Sequence, residues 1–331
     1  MTRGLERIDF GVALLLVPLL QGVSFGLEAL GWQAILRTLG ERPSFRALLR
    51  VRIISEAIAQ SLPLGVLVAE GAKPVLLRAH TGVAIPTGTA SVAARKYSLV
   101  AAQALLLALV ALFGRVAGGS TVLRLVIGGG AIVLATSAAY SGRALSGGAT
   151  ANAVRRLIAR LPILGPIAKR HEKGFSEADR AAERYFGMPL AQRARRALPF
   201  FLAWCVESFE TWFLLRLASC PVTLYDAFCI EVPLGLLRSV AFFTPAGLGV
   251  QDLGYASMLA AFGVPDAAAT ALGFVVLKRA KEILWGATGY VLLGLSRSAD
   301  KRASAEPGTV ANATGVPAER ALLHTASFPN P

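Results

Sequence analysis

Twelve ionisable side chains stand in or beside stretches otherwise apolar enough for a bilayer: Glu56, Glu70, Lys73, Arg78, Glu207, Glu210, Glu231, Arg238, Asp252, Lys278, Arg279 and Glu282. A charge at the bilayer centre costs ~2.5–3.5 kcal/mol on insertion scales, so this many must face inward, pair, or line a hydrated path. Spacing makes some pairs local. Glu282 lies four residues from Lys278 and three from Arg279, both within helical reach. One glutamate neutralises only part of that basic cluster. The surplus cation suits an anionic headgroup, because a guanidinium presents a fork matched to phosphate. The alternative is pairing between helices, Arg279 with Asp252 or Glu231. Bond-making chemistry has no such foothold. His80 has no Cys or His partner nearby, and no nucleophile elbow, P-loop or zincin pattern occurs. The chain is therefore expected not to be an enzyme, to need no cofactor or metal, and not to drive transport with ATP by itself.

The elements that position these charges are apolar. Of 331 residues 54% are hydrophobic and only 16% charged, with a mean hydropathy of +0.57, against roughly 25% charged in soluble domains. Residues 10–27, 97–114 and 125–142 carry no charge at all. Each approaches the ~20 residues a helix needs to cross ~30 Å of hydrocarbon. Further spans are expected near 197–218, 223–243 and 267–295. The first apolar run continues toward Leu36, and Glu6 and Asp9 stand where a signal peptide is purely basic, so a retained first span is expected. The fold class is thus all-α, a polytopic transmembrane helical bundle, multi-pass in a bacterial cytoplasmic (inner) membrane. The net charge of +14 collects between the apolar blocks rather than over one face, which excludes nucleic acid as a partner. Cys205, Cys220 and Cys229 form no CxxC pair and read as small buried hydrophobes.

The polar parts set the organisation. Residues 141–196 carry twelve basic residues against four acidic ones, a net charge of +8, which places this loop in the cytoplasm. Arg37, Arg42, Arg46, Arg50 and Arg52 draw a second loop to the same side. That puts the N-terminus outside, although Arg3 and Arg7 pull it inward. Within the large loop Ser176 and Asp179 suggest a capping box, opening a short helix with Phe175, Ala178, Ala182 and Tyr185 on its apolar face. The reading is a surface helix tethering two halves, with packing on the bundle or contact with anionic headgroups as alternatives. The membrane domain is taken as 1–295, with halves at about 10–140 and 197–295. The tail 296–331, rich in Ala, Ser, Pro and Thr, is expected to be disordered.

The two halves share a pattern. Pro63-Leu64-Gly65 matches Pro245-Ala246-Gly247, and seven residues beyond each proline stands an acid, Glu70 or Asp252. Gly82-Val83 and Gly263-Val264 follow, then the basic pairs Arg95-Lys96 and Lys278-Arg279. Non-helical backbone at membrane depth is tolerated only where protein buries it or where it lines a wet cavity. Transporter folds set broken helices from two repeats around a midplane site. Residues 63–85 and 244–265 are therefore read as two pseudo-repeated re-entrant Pro/Gly-broken hairpins meeting at the centre. The alternative is that the prolines only kink ordinary spanning helices.

The run Thr244-Pro245-Ala246-Gly247-Leu248-Gly249-Val250-Gln251-Asp252-Leu253-Gly254-Tyr255 resembles the signature of the flippase-like family typified by the transmembrane region of lysylphosphatidylglycerol synthases. With Leu277-Lys278-Arg279-Ala280-Lys281-Glu282-Ile283-Leu284-Trp285-Gly286 it is most similar to the hopanoid-biosynthesis-associated branch. The chain departs from the family pattern in Ala246 where glycine is usual, Asp252 where glutamate is, and Lys73 where arginine is. The resemblance implies translocation or handling of a membrane lipid, a phospholipid or a hopanoid. It also implies no synthesis, since about 35 residues after the last expected span leave no room for the aminoacyl-transferase domain. The residues expected along the headgroup path are Pro63, Gly65, Glu70, Lys73, Arg78, Lys96, Arg238, Pro245, Gly247, Gly249, Asp252, Lys278, Arg279 and Glu282. The competing reading is a non-transporting scaffold that docks lipid-biosynthesis enzymes through the 141–196 loop.

Overall fold

The computed structural model describes residues 10–113, 121–161, 165–218, 220–240, 244 and 247–305. Among these there is helix and connecting turn and no strand. Long apolar runs without β-branched alternation leave helix as the one conformation that satisfies the backbone within hydrocarbon. In chain order the helices are α1 (Phe10–Thr38), α2 (Phe45–Ser61), α3 (Gly65–Thr81), α4 (Ile85–Phe113), α5 (Thr121–Ser146), α6 (Thr150–Ile158), α7 (Gly165–Arg170), α8 (Glu172–Phe186), α9 (Leu190–Leu217), α10 (Leu224–Val240), α11 (Val250–Ala261) and α12 (Ala267–Ala305). Three stretches, Ile85–Phe113, Arg124–Ser146 and Leu190–Leu217, are long and apolar enough to cross a membrane. The other expected spans are helical too, but they carry more polar residues: Gln21, Glu28 and Gln33 in α1, and Lys278, Arg279, Lys281 and Glu282 in α12.

Helices α1 and α9 pack along each other, with α2 against α1, α3 against α2 and α4, α10 against α9, and α11 against α10. Trp32, Ile35, Leu36 and Phe200 are fully buried at this junction. Gly31 is what lets α1 and α9 approach, for a Cβ there would stand 2.6 Å from the Phe200 ring. Phe200 has no exposed surface into which to retreat. Gly31→Val is therefore expected to destabilise the protein by about 1–3 kcal/mol through overpacking, read as a lower melting temperature in detergent. An unchanged melting temperature would mean that the helices separate at no cost.

The segment 63–85 was expected to be broken throughout, and it is not. α3 runs unbroken through Gly71 and Pro74, and the interruptions are confined to 62–64 and 82–84. Leu64 takes a left-handed conformation (φ 56°), and Gly65 follows because a Cβ there would lie 2.4 Å from the Ala59 carbonyl oxygen. The ring of Pro74 is accommodated against Gly88 of α4. In the second half 250–261 is helical, and Gly247 and Gly249, both at positive φ, make the turn before it.

The basic loop is mostly helical. α8 does not merely tether the halves. It packs on α4 and α5, burying Ala181, Ala182, Tyr185 and Phe186 against Ile35, Leu39, Ala90 and Ala94, with Ala178 buried as well. Burial pushes the Tyr185 phenol upward, and its hydroxyl lies 3.2 Å from Ser98 Oγ. The expected capping box is corrected. Ser176 and Asp179 stand inside a helix that begins at Glu172, and Asp179 caps a different helix. Its carboxylate accepts from the Ala151 and Asn152 backbone N–H groups at 2.7 and 3.0 Å, near the start of α6. The chemistry anticipated, a carboxylate on orphan N–H groups, is present across a tertiary contact instead of along the chain. Because Leu39 and Tyr185 share one cluster, both basic segments lie at the same end of the bundle, as the charge pattern requires.

One compact unit ends at Gly289, and from Tyr290 the described residues are the C-terminal part of α12, helical to Ala305. The expected disordered tail thus begins with ten residues of helix, and 306–331 lie outside the described residues.

Candidate functional site

The buried charges fall into two groups, one in each half, and both centre on α1 and α9. Glu28 projects from α1 and is 5% exposed. It accepts from Arg52 Nε at 2.8 Å and Nη2 at 3.1 Å, a two-pronged contact from α2, and also from Arg95 Nη2 on α4. Arg52 reaches Glu56 one turn on, at 2.5 Å, and its guanidinium lies over the Phe25 ring at 4.4 Å. Glu70 on α3 pairs with Lys73 at 2.7 Å and stands 3.7 Å from Arg95 Nη1. Three acids are thus shared among three buried cations, and the low local dielectric makes each contact stronger than in water.

The second group mirrors this logic with different side chains. Glu231 on α10 is fully buried and accepts from Thr211 Oγ1 of α9 at 2.6 Å, Tyr255 OH of α11 at 2.7 Å and Lys278 Nζ of α12 at 2.7 Å. Lys278 also donates to Tyr255 OH at 2.7 Å, and its ammonium stands over the Tyr255 and Phe274 rings. Glu210 of α9 holds Lys281 of α12 at 2.6 Å. Arg279 bridges Asp252 and Glu282, each at 2.6 Å. Asp252 has a second task, accepting the Gly249 N–H at 3.1 Å and so capping α11. Of the pairings read from spacing, Arg279 with Glu282 forms, whereas Lys278 turns to Glu231 instead of Glu282; the alternative of pairing between helices is met by Arg279 with Asp252.

Between the two groups lies a cavity of about 240 Å³. Its walls include Glu28, Glu56, Glu70, Glu207, Glu231 and Glu282, and also Arg52, Lys73, Arg95, Lys96, Lys278 and Lys281. Six acids facing six bases make a wall that is close to neutral and strongly polar. Several polar atoms on its lining residues have no hydrogen-bond partner among the described residues: Glu70 Oε2, Arg95 Nε, Trp204 Nε1 and Gln251 Oε1. Lys96 is exposed and makes no ion pair among the described residues. Such a chamber can exchange its internal pairs for contacts with a polar guest, because each unsatisfied buried group gains most from a new partner.

The expected path residues are divided by this geometry. Glu70, Lys73, Lys96, Lys278 and Glu282 line the cavity. Asp252 and Arg279 do not line it but connect to it through Glu282. Pro63 and Gly65 shape the turn between α2 and α3 outside it, and Gly247 and Gly249 do the same before α11. Arg78 is exposed, two turns along α3 from Glu70, and does not line the chamber. The side chain of Arg238 and the whole of Pro245 lie outside the described residues.

Sequence reading missed Glu28, Arg52 and Lys281 as site residues and used Glu210 only as a charge. One signal was available. Glu28 and Glu210 each stand 35 residues before the prolines of the repeated pattern, Pro63 and Pro245, in register with Glu70 and Asp252. Trp204, Gln103 and Gln251 carried no such mark. Their place on the wall depends on how the helices pack, as when Gln103 Nε2 donates to the Val232 carbonyl at 3.1 Å and ties α4 to α10.

No curated protein and no solved structure matches the chain. A family model, the lysylphosphatidylglycerol synthase TM region, matches residues 1–280 of the 331, and with its apolar helices and intramembrane charges the chain belongs to that family.

Proposed function

We propose that this protein moves a lipid between the leaflets of a bacterial cytoplasmic membrane, passing the headgroup through the polar chamber while the acyl or polycyclic part stays in hydrocarbon. The observation that carries this reading is the chamber itself, twelve charged side chains around about 240 Å³ inside an apolar helical protein. A bilayer protein gains nothing in stability from so many buried charges when apolar packing is the alternative, so they point to a polar guest. Family membership supports a lipid as that guest, and the resemblance over residues 277–286 favours a phospholipid or a hopanoid-type lipid. In this reading the chain transports and does not synthesise.

The pairs α2–α3 and α10–α11 act as the two re-entrant hairpins of an internal duplication. Helix length supports this. α11 has 12 residues, roughly 18 Å at 1.5 Å per residue, too short for ~30 Å of hydrocarbon. Helices α2, α3 and α10 have 17 each and also fall short. Their meeting at the chamber would bring the repeated acids and basic pairs to one site.

Reconstituted into vesicles, the protein is expected to speed exchange of a labelled phospholipid headgroup between leaflets. Lys96→Gln should slow this about tenfold, as a charge-assisted hydrogen bond is worth ~1.5–3 kcal/mol. It should leave the melting temperature unchanged, because Lys96 is exposed and supports no ion pair among the described residues. Arg279→Gln should slow exchange and lower stability together. Undiminished exchange in both variants would sink the proposed path and leave the scaffold reading, which deletion of 150–190 would then test through loss of a bound partner.

A further inference from the structure

The short helix after α5 carries a face that the chamber does not use. α6 (Thr150–Ile158) has no buried residue. Val154 is 47% exposed, Leu157 64% and Leu161 49%, with Ile158 between them. Turn hydrogen bonds from the Arg160 and Leu161 N–H groups carry the helical course past Ile158. Positions 154, 157, 158 and 161 fall on one side of such a helix. At 100° per residue, Arg155 and Arg160 border this stripe and Arg156 stands opposite it. The adjoining Lys169 and Arg170 of α7 are exposed as well.

Three features hold this helix at the membrane surface. Three residues separate its start from Ser146, where a helix apolar enough to cross the membrane ends. The turn between them is fixed by Gly148 at φ +62°, where a Cβ would stand 3.0 Å from Glu183 Oε2. Asp179 of α8 clasps the first-turn N–H groups, and Arg155 is bridged to Glu172 at 3.1 Å. α8 is itself packed on the ends of α4 and α5. The helix is therefore set rigidly beside the headgroup zone with its apolar stripe uncovered.

We infer that α6 lies in the interface of the leaflet at the basic end of the bundle, as an amphipathic foot that reads anionic lipid. Its stripe of Val154, Leu157 and Leu161 enters the upper acyl region, and Arg160, Lys169 and Arg170 meet phosphates. Charge selects the occupant. An apolar stripe bordered by cations, in a loop of net charge +8, matches an anionic headgroup layer better than a protein surface.

The test places a polarity-sensitive dye at Leu157→Cys or at Arg156→Cys on the opposite side, in the full chain with Cys205, Cys220 and Cys229 changed to alanine. The carrier is a nanodisc of mixed phosphatidylcholine and phosphatidylglycerol. Spin-labelled acyl chains should quench the dye at 157 about threefold more than at 156, as expected for a face ~5–10 Å into the interface, and aqueous iodide should do the reverse. Equal lipid quenching at both positions overturns the inference. Shielding at 157 from both quenchers also overturns it, because protein, such as a second copy, then covers the stripe. A parallel measurement leaves the native cysteines in place. Hydrogen exchange over 150–161 should be slower with phosphatidylglycerol present than with phosphatidylcholine alone, and Leu157→Asp should abolish that difference. No difference in the unaltered chain counts against the inference.

Discussion

Glu28→Ala is expected to lower the melting temperature of the detergent-solubilised protein by about 10 °C. The carboxylate is the common partner of Arg52 and Arg95, which are 9% and 2% exposed. Removing one member of a buried ion pair typically costs ~3–5 kcal/mol, because the other charge stays behind without compensation. For a protein of this size each kcal/mol lowers the midpoint by roughly 2–4 °C. The two guanidiniums are not equally stranded. Among the described residues Arg52 keeps the ion pair with Glu56 at 2.5 Å, while Arg95 keeps only that with Glu70, at 3.7 Å. The double variant Glu28→Ala with Arg95→Ala should therefore be more stable than the sum of the two single losses, by ~1–3 kcal/mol. Strict additivity in thermal or denaturant melts would show that the contacts around Glu28 do not act as a unit.

Glu231→Gln, made alone and together with Lys278→Met, is expected to separate stability from the proposed lipid exchange. The glutamate takes three donors, from α9, α11 and α12, and fixes Lys278 at the chamber wall. Glutamine keeps the size but not the charge, so Lys278 becomes a buried cation without its counter-ion. Hydrogen bonds to charged groups contribute ~1.5–3 kcal/mol, and each 1.4 kcal/mol is tenfold in rate. Lipid exchange should thus fall by about 10- to 100-fold, and the melting temperature should fall with it. Adding Lys278→Met removes the stranded charge. The melting temperature should then recover most of its loss, while exchange stays slow because the cation on the wall is gone. Recovery of exchange in the double variant would mean that Lys278 serves the fold alone.

Much of this architecture was legible in the sequence because its cause is local. Charge-free runs of 18 residues dictate helices in hydrocarbon, and α4 ends, and α5 begins and ends, within a few residues of where the charge-free run does. The acid three residues after Arg279 is bound to reach it, since helical geometry brings them together. What misled was also local. Pro74 and Gly71 read as helix breakers, yet α3 continues through them because packing against α2 and α4 outweighs propensity.

The sequence by itself determined that this chain is helical, membrane-embedded, basic at one end, and burdened with intramembrane charges set out in matching order in its two halves. Periodicity, apolar length and charge placement act over one or two turns, so they survive without any knowledge of neighbours. Only the tertiary structure decided which charges meet. Lys278 chooses Glu231 over the nearer-in-sequence Glu282, Asp179 caps a helix 28 residues upstream, and Glu28 gathers arginines from two other helices. Those choices follow from which faces of α1 and α9 turn toward each other, set by side-chain volume at sites such as Gly31 and Phe200.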